Sequence, residues 1–181
     1  MAERYNYHAI FTGARSAEFC LKLVQVGAAC LWRLVGQPAS MMLQNFETQS
    51  VENFDFTPDA LLEIAPPTEN QILSIYPAKT TVGSLLIYLE QDFFVVTFSI
   101  RASALSSEMR REFFLELKSE LVRMQLQILV SGEELEVSAS ALESIRSGKL
   151  GLIESHEIEF CDCISAGGEP GRERDAGRDL Q

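Results

Sequence analysis

Basic charge is what this chain has least of. It carries 15 Lys and Arg against 26 Asp and Glu, a net charge of −11. Nucleic-acid binding rests on clustered Lys and Arg facing phosphates, so the balance points away from that class. It points equally away from docking on an anionic membrane surface. Histidine is scarce as well: with two in 181 residues, general-base chemistry would fall mainly on carboxylates. Long hydrophobic runs are missing. The apolar stretch from Phe19 is about 17 residues long, short of the ~20 that a membrane helix needs, and it contains Lys22 and Arg33. Glu3 sits where a secretory leader would be positive, so no export signal is expected. The four cysteines, Cys20, Cys30, Cys161 and Cys163, do not fall into a disulfide framework and read as reduced thiols of a cytoplasmic protein. Gly-x-Gly-x-x-Gly, P-loop and nucleophile-elbow motifs are all absent from the sequence, which removes their chemistries from the list.

What is present is an ordinary globular composition, 46% apolar and 23% charged, in a chain long enough to bury its own core. The acid is uneven. Residues 51–100 hold one basic and seven acidic groups, and residues 151–181 three and eight. Such excess acid serves solubility, and it also suits a surface that meets a basic partner.

Hydrophobic periodicity places the elements. In Ser16–Val35 the polar stripe is thin, at Glu18, Lys22, Gln25, Ala29 and Arg33, and most other positions are apolar. A helix wet on so narrow a face is covered nearly all round, by its own core or by a partner. Before it, Tyr5, Tyr7, Ala9 and Phe11 alternate as in a short strand or an N-terminal arm. After it, Gly36-Gln37-Pro38 is a stop. Met41, Met42, Leu43 and Phe46 read as a helical turn, and Asn53–Phe56 alternates like a strand. Thr57-Pro58 caps a short helix running to about Ile64. Strands are expected at Gln71–Tyr76, Ser84–Glu90 and Phe93–Ile100, the last two joined by Gln91-Asp92 as a hairpin. Both faces of that pair are apolar, so helices should cover one side and something should partly cover the other. Phe113, Leu117, Leu121, Met124 and Ile128 form a helical stripe, so a second long helix is expected over Ser107–Ile128, capped at Ser106 or Ser107. A short strand is read at Glu134–Ser138, a short helix at Ser140–Arg146 and a last strand at Leu152–Cys163. The expectation is α+β: a mostly antiparallel sheet packed against two long helices. One domain spans 1–164, and the Gly- and charge-rich residues 165–181 form a disordered tail.

Chemistry-bearing constellations are few. His156, Cys161 and Cys163 bring metal-ligand types within eight residues, but alternation on a strand turns His156 away from both cysteines. A Cys–His pair with His8 or His156 as base has nothing to fix its geometry. Glu112, Glu116 and Glu120 form a ladder typical of a wet helix face. No catalytic residue, metal site or cofactor is therefore expected.

The apolar residues suggest binding instead. Phe19 and Trp32 on the first helix are anchor types, and Met41, Met42 and Phe46 form a soft apolar cluster. The expected function is non-enzymatic: an adaptor, chaperone-like protein or complex subunit meeting a protein partner or forming a homo-oligomer, with no nucleic acid and no membrane. The outline is similar to that of the small acidic secretion chaperones of bacteria, an analogy of fold alone. The alternative is a small-ligand or sensory module with a pocket lined by Phe94, Phe98, Phe113 and Leu117.

Overall fold

The alternation of Tyr5, Tyr7, Ala9 and Phe11 becomes a strand inside a sheet, not an N-terminal arm lying on a neighbour. In a computed structural model, which describes residues 3–79, 82–137, 140, 143, 147 and 158–164, strand β1 (Arg4–Thr12) pairs on both sides. The other strands are β2 (Pro38–Asn45), β3 (Ser50–Asp55), β4 (Gln71–Pro77), β5 (Gly83–Glu90), β6 (Phe93–Arg101), β7 (Ile128–Glu133) and β8 (Phe160–Cys163). They form one sheet of eight strands in the order β3-β2-β4-β5-β6-β1-β7-β8. Every pairing is antiparallel, as expected.

The helices depart from expectation. Helix α1 (Ala17–Lys22) runs into a π-helical turn at Leu23–Gly27 before α2 (Ala29–Val35). The Ala28 N–H, which an α-helix would direct to Val24, donates to the Leu23 carbonyl at 2.7 Å. The Val24 carbonyl accepts the Trp32 indole N–H at 2.7 Å. A π turn inserts one residue into the helical repeat, so Gln25 and Val26 both face solvent. The second helix, α4 (Ser107–Val122), is shorter than its stripe. Ser106 caps it by accepting from the Met109 N–H at 3.2 Å, and it stops before Gln125, whose φ is 66°. Ile128 then continues the buried spacing from within β7. The expectation of two long helices thus resolves into one helix of 16 residues and one interrupted helical segment.

Met41–Phe46 is also corrected. The residues through Asn45 form β2, which makes a hairpin with β3 across the turn at 46–49. Met41 is buried and Leu43 packs on the core, while Met42 and Gln44 face the other way, a period of two that a helical turn cannot produce. Helix α3 (Pro58–Ile64) follows as read, with the Thr57 hydroxyl accepting from the Ala60 N–H. The strand read at Glu134–Ser138 does not form over its described part: β7 ends at Glu133, and Glu134 takes a φ of 50°. The helix at 140–146 falls almost wholly, and His156 and the tail at 165–181 wholly, outside the described residues.

The core lies between one sheet face and the helices. Tyr5, Tyr7 and Phe11 of β1, Leu85 and Ile87 of β5, and Phe94, Phe98 and Ile100 of β6 meet Leu23, Leu31 and Trp32 and the α4 residues Phe113, Leu117 and Leu121. On the opposite face a smaller cluster joins Ile10, Phe93, Val95, Ile128 and Val130 to Leu135 and Ile158. The sheet is therefore covered on both faces around β1, β6 and β7.

Candidate partner-binding surface

At the far end of the sheet the cover thins. Strand β3 is an edge strand, and five of its six residues are exposed, with Phe54 half-buried. Two large apolar side chains stand out: Phe46 at the hairpin turn is 52% exposed and Val51 is 51% exposed. Val51 pairs with Gln44, so it shares the sheet face of Met42, away from the helices. The turn is built by Asn45, whose Oδ1 accepts the N–H groups of Glu47 at 3.0 Å and Thr48 at 3.1 Å, a local turn that Asn favours. Gln49 closes it at a φ of 55°.

The charge at this end has one sign. From residue 34 to 78 there is no Lys or Arg, while Glu47, Glu52, Asp55, Asp59, Glu63 and Glu69 fall in that span, all exposed. An edge strand carrying acid resists pairing with a second copy of itself, because two such edges bring like charges together.

The residues expected to bind a partner separate. Trp32 is 4% exposed and Met41 1% exposed; both belong to the core. Phe19 is half-buried, its ring 5.2 Å from that of Phe11 and 5.7 Å from that of Phe94, with the Arg15 guanidinium 4.9 Å over it. Met42 is half-buried and Phe46 exposed. Of the five, Met42 and Phe46 lie on the β2–β3 hairpin outside the buried core. Val51 was missed. Its signal was its place two residues before Asn53 in the strand alternation, legible only once the strand is taken to begin at Ser50.

Of the groups weighed for catalysis, His8, Cys20 and Cys30 sit in the core. His8 is buried, with Nδ1 2.8 Å from the Thr97 hydroxyl and Nε2 2.8 Å from the Leu135 carbonyl. A carbonyl only accepts, so Nε2 carries the proton and Thr97 donates to Nδ1. Burial lowers the His8 pKa to about 4. Cys20 and Cys30 are buried free thiols, pushed up by burial to about 12 and about 11. They are poor nucleophiles there. Burial also raises the phenols of Tyr5 and Tyr7. Tyr7 donates to the Arg110 carbonyl at 3.1 Å. The Arg110 guanidinium lies 4.5 Å over the Tyr5 ring and pairs with Glu159 at 3.4 Å and Glu133 at 3.7 Å. Lys118 pairs with the buried Asp162. These contacts tie α4 to β1, β7 and β8.

The position read as a ligand pocket is filled by side chains: Phe94, Phe98 and Leu117 are fully buried and the Phe113 ring sits 4.8 Å from that of Tyr7. An open cavity of about 380 Å³ lies elsewhere, lined by Thr12, Gly13, Ala14, Leu89, Gln91 and Asp92. Among the described residues no group of three or more His, Cys, Asp or Glu is placed to hold a metal ion. None of the described helices is long and apolar enough to cross a membrane.

Comparison with known proteins finds no matching family model, no matching curated protein and no matching solved structure.

Proposed function

We propose that this chain is a non-catalytic, cytoplasmic protein-binding subunit of the adaptor or chaperone-like kind, which meets a basic protein partner through the β2–β3 end of its sheet. The observation that carries the reading is the pair of exposed apolar side chains, Phe46 and Val51, beside an acidic free edge. Apolar area supplies affinity there, and the surrounding carboxylates select and steer a partner of opposite charge. The buried, hydrogen-bonded state of His8 and the raised thiols of Cys20 and Cys30 support a role without catalysis. Four cysteines with no disulfide among them fit a reducing compartment. A second copy of the chain is disfavoured as occupant because its own edge is acidic.

The test is native mass spectrometry of protein gently purified from its own cells, as wild type and as the double variant Phe46→Glu, Val51→Glu. Both side chains are half exposed, so the variant should melt within about 1 kcal/mol of wild type, as surface substitutions do. The expected result is a discrete complex with a second, basic polypeptide that the variant no longer forms. A partner retained by the variant, or a wild type found only as a bare monomer, removes the reading. A clean homo-oligomer replaces the basic partner with a second copy.

A further inference from the structure

The opposite end of the sheet carries a pair of thiols that the binding role does not use. Strand β8 is the edge next to β7, with Cys161 opposite Val130 and Cys163 opposite Ile128. Residues two apart on a strand point the same way. Cys161 and Cys163 therefore both face away from α4, while Phe160 and Asp162 face it: the Phe160 ring lies 5.4 Å from that of Phe114, and Asp162 pairs with Lys118. Cys161 is half-buried against the second-face cluster and Cys163 is exposed. The two side chains hydrogen-bond to each other. That contact lowers the pKa of Cys163 and raises that of Cys161.

We propose that Cys161 and Cys163 form a redox-active dithiol, oxidised to an intramolecular disulfide by a small-molecule disulfide such as glutathione disulfide. The exposed Cys163, as thiolate, attacks one sulfur of the oxidant, forms a mixed disulfide and expels one thiolate. Cys161 then loses its proton to solvent and attacks the Cys163 sulfur. The second small thiolate leaves. The protein loses two electrons and two protons, and the small disulfide becomes two thiols. The order of attack follows from access: an exposed thiolate reacts first and a half-buried neighbour resolves it.

Strand geometry decides what kind of disulfide this is. Two residues of extended chain set the Cα atoms about 6.6 Å apart, near the upper end of the roughly 4.4–6.8 Å range that a disulfide spans. Closure therefore pulls β8 out of full extension. The strand can yield because it has four residues and, among the described residues, pairs on one side only. It also carries Asp162, the partner of Lys118, and leads to Ile164, whose N–H donates to the Gln127 carbonyl at 2.7 Å. An exposed bond whose closure distorts the strand that carries it reverts readily to thiols, as a sensing pair must and a structural disulfide does not.

The experiment incubates the full chain in buffers of rising glutathione disulfide to glutathione ratio, blocks remaining thiols with N-ethylmaleimide, and reads intact mass and peptide maps. Wild type should lose two hydrogens and two alkylation sites, both mapping to 161 and 163. Cys161→Ser should instead accumulate one glutathione adduct on Cys163, and Cys163→Ser should neither close nor acquire an adduct at the wild-type rate. Reduced glutathione in excess should restore both sites. Persistent glutathione adduct in wild type, or two sites still open in glutathione disulfide alone, overturns the proposal. Amide exchange over 160–164 then separates closure from mere capping: closure should raise exchange there, and unchanged protection counts against it.

Discussion

His8 is kept neutral by burial and by two hydrogen bonds that suit the neutral ring, from Thr97 to Nδ1 and from Nε2–H to the Leu135 carbonyl. Its pKa falls from the ordinary 6.5 to about 4 on folding. Above pH 6.5 neither state binds the extra proton, and the full contribution of the neutral ring is present. As pH falls below 6.5 the unfolded chain takes up a proton that the folded chain refuses, so stability declines until the folded pKa is reached. The loss from this one group amounts to about 3 kcal/mol. Thermal melts between pH 7 and 4 should therefore fall more steeply for wild type than for His8→Gln, which keeps hydrogen-bonding atoms but does not titrate there. Parallel curves would show that His8 does not control acid stability. The same residue scale shows why the exposed apolar residues of the proposed binding surface were only partly legible. Trp32, Met41 and Phe46 are all large and apolar. Nothing in residue type separates an exposed aromatic side chain from one whose indole N–H is already given to Val24. Phe46 could be singled out only after its turn was known.

At the level of elements, glycine marks the closest approaches. Gly83 of β5 lies opposite Ile100 and under α2: a β-carbon there would stand 2.9 Å from Val35 Cγ1 and 3.0 Å from the Ser99 carbonyl oxygen. The backbone oxygen cannot step aside without disturbing β6. For Gly27, in the π turn, the three nearest atoms would all be side-chain atoms, the first being Leu121 Cδ2 at 2.9 Å, which can rotate away. Gly83→Val should thus destabilise by more than about 3 kcal/mol, as overpacking against fixed backbone does, and Gly27→Ala by less. Urea unfolding midpoints of the two variants check the order, and a reversed order would put the critical contact at the π turn. The hairpin of β5 and β6 was readable because β-branched and aromatic residues alternate on both strands. The end of α4 was not. Leu121, Met124 and Ile128 are all buried at helical spacing, yet the last belongs to a strand, so burial period alone ran past the boundary. Strand β2 was missed for the opposite reason: Met41-Met42-Leu43 contains no β-branched residue and is apolar on both faces. The π turn left no pattern beyond a small-residue run, Gly27-Ala28-Ala29, in an otherwise helical stretch.

Across the whole molecule, connectivity and position diverge. The first strand in the chain sits between the sixth and seventh, so among the described residues β7 and β8 join the rest of the sheet only through β1. The helix face reinforces this: Tyr7 bonds to α4 and packs on Phe113, and Arg110 stacks on Tyr5. Tyr5, Tyr7, Ile10 and Phe11 are fully buried, and burial of each is worth about 2 kcal/mol. Their sum rivals the roughly 5–15 kcal/mol that holds a domain folded. Removing residues 1–12 should therefore abolish cooperative unfolding altogether, because it severs two strand ladders and leaves Ile128 and Val130 without the strand they cover. Removing residues after Ile164 should leave the melting temperature unchanged, as composition alone suggests for a Gly- and charge-rich tail. Both truncations can be followed by circular dichroism against urea. A cooperative transition surviving the first would mean that β1 is dispensable and that β7 and β8 are held by α4 alone. A marked fall in stability after the second would place the tail among the elements that cover the sheet.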